Sequence, residues 1–214
     1  LFREVNHFVG DCSFMLILYH FIFLIASFIE FFSQYYMERK NMETIEIIPL
    51  SGIKINEKTI PLSATRQEVE SLLGTPYAEH SHSCYYFHNE LRFDFDENST
   101  VKYIEFLAGI DGQLQPQIYG VPAFQAEADE VFELLSAKNN GEIDDSEHGY
   151  AYGFLNISVG IFRPSTPESV EDMIEDAEED GEPMDEDDIA YERRKASHWA
   201  TIGIGVAGYY TGVM

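Results

Sequence analysis

Residues 84 to 107 contain three short runs of strand-forming residues that are separated by polar turns. In LRFDF (91–95) and VKYIEFL (101–107), apolar and polar residues alternate, which places every second side chain on one face of a strand. The run before them, CYYFH (84–88), shares their aromatic composition. We therefore predict three antiparallel strands joined by short turns.

A helix is predicted immediately before these strands, in LSATRQEVESLLGTP (62–76). Thr65 and Glu68 have the spacing of a capping box, in which the two residues satisfy each other's backbone N–H groups. Gly74 and Pro76 then end the helix. The apolar stripe at i, i+3 and i+4 spacing consists of Val69, Leu72 and Leu73.

The second half of the chain repeats this order of elements. FQAEADEVFELLSAKNNG (124–141) has apolar residues on one helical face and a glycine at its end. YAYGFLNISVGIFR (150–163) and WATIGIGVAGYY (199–210) then take the places of the strands. We predict an internal duplication and an α+β fold: two tandem helix-plus-antiparallel-sheet units that form one sheet layer covered by helices on one face.

The two units are predicted at residues 42–118 and 119–214, and an insertion at 164–198 in the second unit holds 14 acidic residues. Within it, TPESVEDMIEDAEEDGEP (166–183) has an N-cap threonine, a proline at the first helical position and an apolar stripe, which predict a helix. The remainder, 184–198, is expected to be a mobile loop.

The first 41 residues differ in character from the rest. Residues 13–32 are almost long and apolar enough to span a bilayer, interrupted only by one histidine and one glutamate. Two interpretations stay open: a single-pass membrane anchor before a cytoplasmic domain, or an upstream segment absent from a working protein that begins at Met42. Both place residues 42–214 in the cytoplasm.

The charge of the chain restricts its partners. Acidic residues outnumber basic ones by 38 to 13, which gives a formal net charge of −25 and a pI near 4.4. Such a chain repels nucleic acid, whereas a basic protein or a divalent cation complements it. The two cysteines, Cys12 and Cys84, are too few for a disulfide framework and are typical of a reducing compartment.

Counted from Asp94, residues 94–105 nearly fit the loop of a calcium-binding EF-hand. The fit fails because Ser99 stands where the sharp turn needs glycine and Lys102 stands at a ligand position. The flanking residues also alternate with the period of strands rather than helices. The segment is therefore predicted to form the turn of a β-hairpin.

Other motifs do not indicate a cofactor site or a catalytic site. GIGVAG (203–208) has the glycine spacing of a dinucleotide site, but too few residues follow it to form the required helix, so we predict no cofactor. Its glycines leave one face of a strand bare, and a helix of the same chain or a partner can approach closely there. His80, His82 and Cys84 have alternate spacing that zinc could use, although a polar loop entering a strand explains them without a metal.

No catalytic motif is present, and we predict a protein that is not an enzyme.

IPLSATRQEVESLLGTP (60–76) followed by YYFHNELRFDFDENSTVKYIEF (85–106) resembles the helix-then-sheet unit of SmpA/OmlA-like outer-membrane lipoproteins, which is doubled in beta-lactamase-inhibitory proteins. Residues 42–210 are also similar to acidic bacterial cytoplasmic proteins associated with immunity to polymorphic toxins. The inhibitory proteins are secreted and disulfide-bonded, and this chain departs from them in lacking paired cysteines. The resemblance implies a protein that binds another protein with the open face of its sheet.

Strand alternation indicates which side chains would lie on that open face. If the apolar positions pack under the helices, the remaining ones point to the other side. Tyr103 and Trp199 would be aromatic anchors, with burial of Trp199 in the core as an equally weighted alternative. The predicted partner-binding residues are Arg92, Asp94, Tyr103, Glu105, Trp199 and Thr201.

The leading hypothesis is therefore a cytoplasmic immunity protein or inhibitor that binds and neutralises a basic protein, such as a secreted bacterial toxin. A membrane-anchored assembly or scaffold protein is the second hypothesis and depends on residues 13–32. The third is a metal-binding protein that uses the acidic insertion or the histidines and cysteine at 80–84.

Overall fold

The computed structural model describes residues 44–212. The expectations for the N-terminal segment 1–41, the apolar stretch 13–32 and Met42 lie outside the described residues. Within residues 44–212, no helix combines the length and the apolar character that crossing a bilayer requires.

The fold is α+β, as the sequence predicts. Over the described range it contains four helices and thirteen strands, most of them short. The helices are α1 (Arg66–Leu73), α2 (Ala128–Asn139), α3 (Pro167–Glu179) and α4 (Glu186–Ala196). The strands are β1 (Ile45–Ile48), β2 (Gly52–Ile55), β3 (Lys58–Pro61), β4 (Ala78–His80), β5 (Ser83–Tyr86), β6 (Leu91–Phe95), β7 (Val101–Phe106), β8 (Gln117–Ile118), β9 (Val121–Pro122), β10 (Ile143–Asp144), β11 (Ala151–Phe154), β12 (Val159–Phe162) and β13 (Thr201–Gly205).

The strands form two sheets, which corrects the expectation of a single sheet layer. The larger sheet is antiparallel throughout and has eight strands in the order β10-β11-β12-β13-β7-β6-β5-β4. The smaller sheet has the order β3-β2-β1-β8-β9, with β1 and β8 parallel. The smaller sheet forms because alternate side chains of β1 and β2, such as Ile47 and Ile53, are apolar and must be buried. These isoleucines share one core with the large sheet.

Each half of the large sheet consists of the strands that follow one helix in the sequence. β4 to β7 follow α1, and β10 to β13 follow α2. The halves meet where the last strand of each pairs, with Ile104 of β7 opposite Ile204 of β13. The confirmed hairpin of β6 and β7 lies in the first half, where the Asp96 carboxylate accepts hydrogen bonds from the backbone of Asn98 and Thr100.

The helices α1 and α2 bury their apolar side chains in the core of the large sheet. Val69 of α1 and Leu135 of α2 belong to the same cluster of buried side chains as Phe93 and Ile104. Side chains at alternate positions therefore point to the opposite face, which we call the open face. Its strand positions include Arg92, Asp94, Tyr103, Glu105, Gly153, Gly160, Phe162, Thr201, Gly203 and Gly205.

The acidic insertion folds into a helical hairpin. The predicted helix is confirmed as α3, whereas residues 186–196, expected to be a loop, form helix α4. Asp185 caps α4 by accepting a hydrogen bond from the backbone of Asp188, and the acidic first turn and basic last turn complement the helix dipole. The two helices pack through a small apolar cluster that contains Val170, Ile174 and Ala196.

Loss of the α1 capping box should lower stability. The Thr65 hydroxyl accepts from the Glu68 backbone and the Glu68 carboxylate accepts from the Thr65 backbone, as the sequence predicts. We expect Thr65→Ala to reduce the free energy of unfolding by about 1 kcal/mol because one backbone donor loses its acceptor. Urea denaturation checks this, and Thr65→Ser, which keeps the hydroxyl, should stay close to the wild type. Equal losses for both variants would contradict the capping role.

Candidate functional site

One row of residues, which we call the central row, crosses the open face from edge to edge. Backbone pairing places one residue of each strand directly beside the next. The two halves of the row differ. Three neighbouring strands of one half contribute glycine, whereas three strands of the other half contribute large polar or charged side chains. In order, the row is Asp144, Gly153, Gly160, Gly203, Glu105, Arg92, Tyr85 and Ala78.

The polar half of the row is organised around Arg92. Its Nη1 lies 3.0 Å from Glu105 Oε2, and its Nη2 lies 3.2 Å from Asp94 Oδ2. The other oxygen of Asp94 accepts a hydrogen bond of 2.6 Å from the Ser83 hydroxyl. The guanidinium carbon lies 5.3 Å from the centre of the Tyr103 ring. The face thus holds a guanidinium between two carboxylates and above an aromatic ring, which is a favourable setting for this ion.

Glu105 is the most deeply placed carboxylate of this group, with a side chain that is 13% exposed. Burial raises the pKa of Glu105, and the Arg92 guanidinium and the hydroxyl groups of Thr201 and Tyr103 oppose this effect. Burial dominates because the nearby donors replace only part of the water that a carboxylate would otherwise bind. An additional cation at this place would stabilise the charged form of Glu105.

In the glycine half, tyrosine side chains occupy the space that side chains would otherwise fill. The Tyr103 hydroxyl lies where a Cβ atom of Gly203 would project, and the Tyr210 hydroxyl lies where a Cβ atom of Gly160 would project. Tyr209 covers Gly205 in the same way. The bare strand face expected from the sequence is therefore occupied by side chains of the same chain.

These three tyrosines form one cluster at the C-terminal end of the described chain. The rings of Tyr103 and Tyr209 stack with centroids 4.5 Å apart and planes 5° apart. Tyr210 meets Tyr103 edge-on, and its hydroxyl donates a hydrogen bond of 3.3 Å to the Tyr103 hydroxyl. Burial raises the pKa values of Tyr103 and Tyr210 above their ordinary range, so both hydroxyl groups remain protonated at neutral pH.

Beside the tyrosine cluster, the glycine half forms a cleft of about 180 Å³. Gly153 and Gly160 lie in its wall together with Phe162, which is 41% exposed. Small-molecule pockets occupy roughly 300–1,000 Å³, so this cleft is too small for a cofactor or a drug-sized substrate. Three carboxylates line it: Glu105, Asp144 and Glu147.

The structure brings together most of the predicted site residues. Arg92, Asp94, Tyr103 and Glu105 form one network, and Thr201 lines the cleft next to Glu105. Tyr103 differs from the prediction in one respect, because it is only 6% exposed. Tyr103 is one of the three clustered tyrosines and forms part of the wall of the cleft. It is therefore not a free aromatic anchor.

Trp199 does not belong to the site. Its side chain is 1% exposed, and its indole Nε1 donates a hydrogen bond of 2.9 Å to the backbone oxygen of Ala128 in α2. The Arg163 guanidinium lies 4.9 Å from the ring centre, and Tyr152 meets the ring edge-on. The prediction that Trp199 anchors a partner is therefore wrong, and the core alternative holds, because the indole fills the space between helix and sheet.

Sequence reasoning missed several residues of the cleft. Tyr209 and Tyr210 directly follow the glycine-rich strand, and their proximity to the bare strand face was the available signal. The sequence indicated Asp144 and Phe162 less clearly as residues of the cleft. Each lies at the end of a short strand, and the face to which it points depends on how that strand pairs with its neighbours.

The proposed zinc ligands do not converge. His80 and His82 are exposed, whereas Cys84 is buried in the core. Cys84 instead lies near Glu70 and Glu79, and the three ligand atoms are within 4.8 Å of one another. Arg66 forms ion pairs with both of these carboxylates, so their charge is already balanced by a side chain.

Comparison of the chain with protein-family models, with curated proteins and with solved structures finds no match. The geometry and charge of the open face are therefore the indications of function.

Burial of Glu105 predicts a specific pH dependence of stability. Because its pKa is raised in the folded state above the ordinary value of 4.5, its contribution to stability is complete below that pH and is lost as the pH rises through the folded pKa. We expect Glu105→Gln to gain stability relative to the wild type as the pH rises above 4.5, since glutamine does not titrate. Urea denaturation of both proteins at several pH values measures the difference, and a difference that stays constant or falls with pH would contradict the prediction.

The glycines of the central row should differ in their tolerance of a methyl group. In Gly203→Ala the new Cβ would overlap the Tyr103 ring, so we expect a loss of about 1–3 kcal/mol in the free energy of unfolding. Gly153→Ala is the matched control, because the nearest atom to its Cβ is the Cβ of Asp144 at 3.4 Å, which is an ordinary contact. Urea denaturation and near-ultraviolet circular dichroism of the tyrosines distinguish the two. Similar stability of both variants would show that the tyrosine cluster is loosely packed.

Proposed function

We propose that this protein is a non-enzymatic cytoplasmic protein that binds a basic protein partner through the open face and neutralises it, as a toxin immunity protein or inhibitor does. The observation that carries the proposal is the cleft beside the tyrosine cluster, where an exposed aromatic ring and carboxylates lie next to one another. Aromatic and charged groups around a concave centre are the usual composition of a protein–protein hot spot.

The charge of the chain supports a basic partner. With a net charge of −25, the protein attracts positively charged proteins over a distance of about one Debye length, roughly 8 Å at physiological salt. Such attraction raises the rate of encounter more than the final affinity. Affinity then depends on the groups that are desolvated at the centre of the interface, and on the open face these are Phe162, Thr201 and the carboxylates of the cleft.

The size of the open face suits a protein better than a small ligand. Eight strands spaced about 4.8 Å apart and two to six residues long present an area of roughly 34 by 14 Å, or about 500 Å². Stable interfaces bury about 800 Å² on each partner, so a partner would also contact the loops at the rim. The loop at 145–150, which carries Asp145, Glu147 and His148, adjoins the cleft and lies at this rim.

The cleft also favours binding over catalysis. Its volume of about 180 Å³ is below the roughly 300 Å³ at which small-molecule pockets begin. Within the cleft, burial raises the pKa of Glu105, and its carboxylate is held by Arg92 in an ion pair, a combination that also occurs in purely structural networks.

Truncation of Phe162 tests the proposed interface. The tagged chain is used to isolate a basic partner from the source cells, and the affinity of the purified partner is then measured by calorimetry for the wild type and two variants. We expect Phe162→Ala to weaken binding by about tenfold or more because it removes an exposed aromatic group beside the cleft. Met173→Ala is the matched control: Met173 is 40% exposed but lies on α3, outside the open face, and its loss should change affinity less than about twofold.

Two outcomes would overturn the proposal. Equal affinity of wild type and Phe162→Ala would show that the partner binds elsewhere. Retention of only a mixed set of basic proteins that all dissociate at high salt would show that the charge attracts proteins without specific recognition.

A further inference from the structure

We propose that the cleft in the glycine half of the open face receives the side chain of one arginine of the partner protein. This inference rests on the proposed function and adds the chemistry of the residue that the site recognises. The volume of the cleft, its uncompensated charge and the setting of Arg92 on the same face support it.

The volume of the cleft fits a single side chain. At about 180 Å³ it is too small for a cofactor, yet it is a distinct concavity between the tyrosine cluster and Phe162. Interfaces commonly centre on one large side chain that fills such a pocket, and arginine, tryptophan and tyrosine are the residues most enriched there. The polar lining distinguishes among these three.

The carboxylates that line the cleft are incompletely compensated. Among residues 44–212, Asp144 and Glu147 form no ion pair, and Glu105 shares Arg92 with Asp94. One oxygen of Asp144 accepts from the backbone of Ser146, which leaves the other oxygen for a ligand. A cation at this position would stabilise the charged form of Glu105 and would interact favourably with the carboxylates of Asp144 and Glu147.

A side chain explains this charge better than a metal ion does. Within the described part of the chain, the ligand-type atoms that lie close enough to share an ion are those of Glu70, Glu79 and Cys84, which belong to another part of the fold. The carboxylates of the cleft are more widely spaced than that. A planar guanidinium on a flexible stem can bridge such a spacing, and its methylene groups can pack beside Gly153 in the wall of the cleft.

The setting of Arg92 shows that the open face already holds a guanidinium. In the polar half of the central row, Arg92 lies between Asp94 and Glu105 and above the Tyr103 ring. The glycine half offers the same two kinds of group, namely carboxylates and an aromatic ring, but it has glycine in the row where the other half has arginine. The partner's arginine would supply the missing cation.

Arginine suits this lining better than lysine. A guanidinium stacks on aromatic rings and donates two parallel hydrogen bonds to a carboxylate, whereas an ammonium group acts as a compact, strongly hydrated charge. Phe162 provides the exposed ring beside the cleft, and Asp144 and Glu147 provide the acceptors.

The inference is tested on the full chain with a small probe, N-acetyl-arginine methylamide, followed by nuclear magnetic resonance of the backbone amides at low salt. We expect saturable shifts at Gly153, Gly160 and Gly203, with a dissociation constant on the order of millimolar, as suits a ligand of this size. The uncharged isostere N-acetyl-citrulline methylamide should cause no saturable shift, and the lysine analogue should bind at least about threefold more weakly.

Variants of the cleft provide the controls. Gly153→Ala adds a methyl group to the cleft without overlapping another atom, so it should weaken probe binding at least about fivefold while the fold is retained. Asp144→Asn should weaken binding at least about threefold. Glu133→Gln makes the same change of charge on the exposed surface of α2 and should leave probe binding unchanged.

The outcomes separate this inference from the proposed function. Absence of saturable shifts, equal binding of the citrulline probe, or indifference to both Gly153→Ala and Asp144→Asn would overturn the arginine assignment. If binding of the protein partner remains sensitive to Phe162→Ala in that case, the proposed function stands without the arginine. If the partner is also indifferent to Phe162→Ala, both proposals fail.

Discussion

The pairing of β7 with β13 is the interaction on which the architecture of the open face depends. It joins the strands that follow α1 to those that follow α2 and so produces one continuous antiparallel sheet. It also places Glu105 directly beside Gly203, so that the charged half of the face adjoins the bare half. Neither half alone would form the cleft, because its lining includes residues from both sides of this junction.

The two sides of the junction use opposite means to fill the surface. Next to β7, long side chains cross the sheet and compensate one another, with Arg92 bonded to two carboxylates. On β12 and β13, glycines leave room, and the tyrosines of the following segment lie over the backbone. Aromatic rings packed on glycine backbone are rigid and amphipathic, which makes this surface a preorganised platform with little side-chain entropy to lose when a partner binds.

Local signals in the sequence predicted the elements that depend on neighbouring residues. The Thr65 capping box and the alternation on either side of residues 96–100 identified α1 and the β6–β7 hairpin. The sequence did not predict α4, because its first turns are almost entirely acidic and its stability depends on the Asp185 cap and on packing against α3. The position of Trp199 depends on its hydrogen bond to Ala128, 71 residues away, and no periodic pattern reports such a contact. The sequence likewise indicated a bare glycine face without identifying Tyr210, which reaches Tyr103 across 107 residues.

The location of the helical hairpin α3–α4 between β12 and β13 has a consequence for how the chain folds during synthesis. Because β13 is the last strand in the sequence yet lies in the middle of the large sheet, β7 and β12 emerge from the ribosome well before their shared neighbour exists. Until then each is an unpaired edge, and such edges promote association between nascent chains. The charged residues Lys102 and Glu105 on β7 discourage that association, whereas β12 carries no charged residue. Completion of the sheet is therefore a late, long-range step that closes both edges at once.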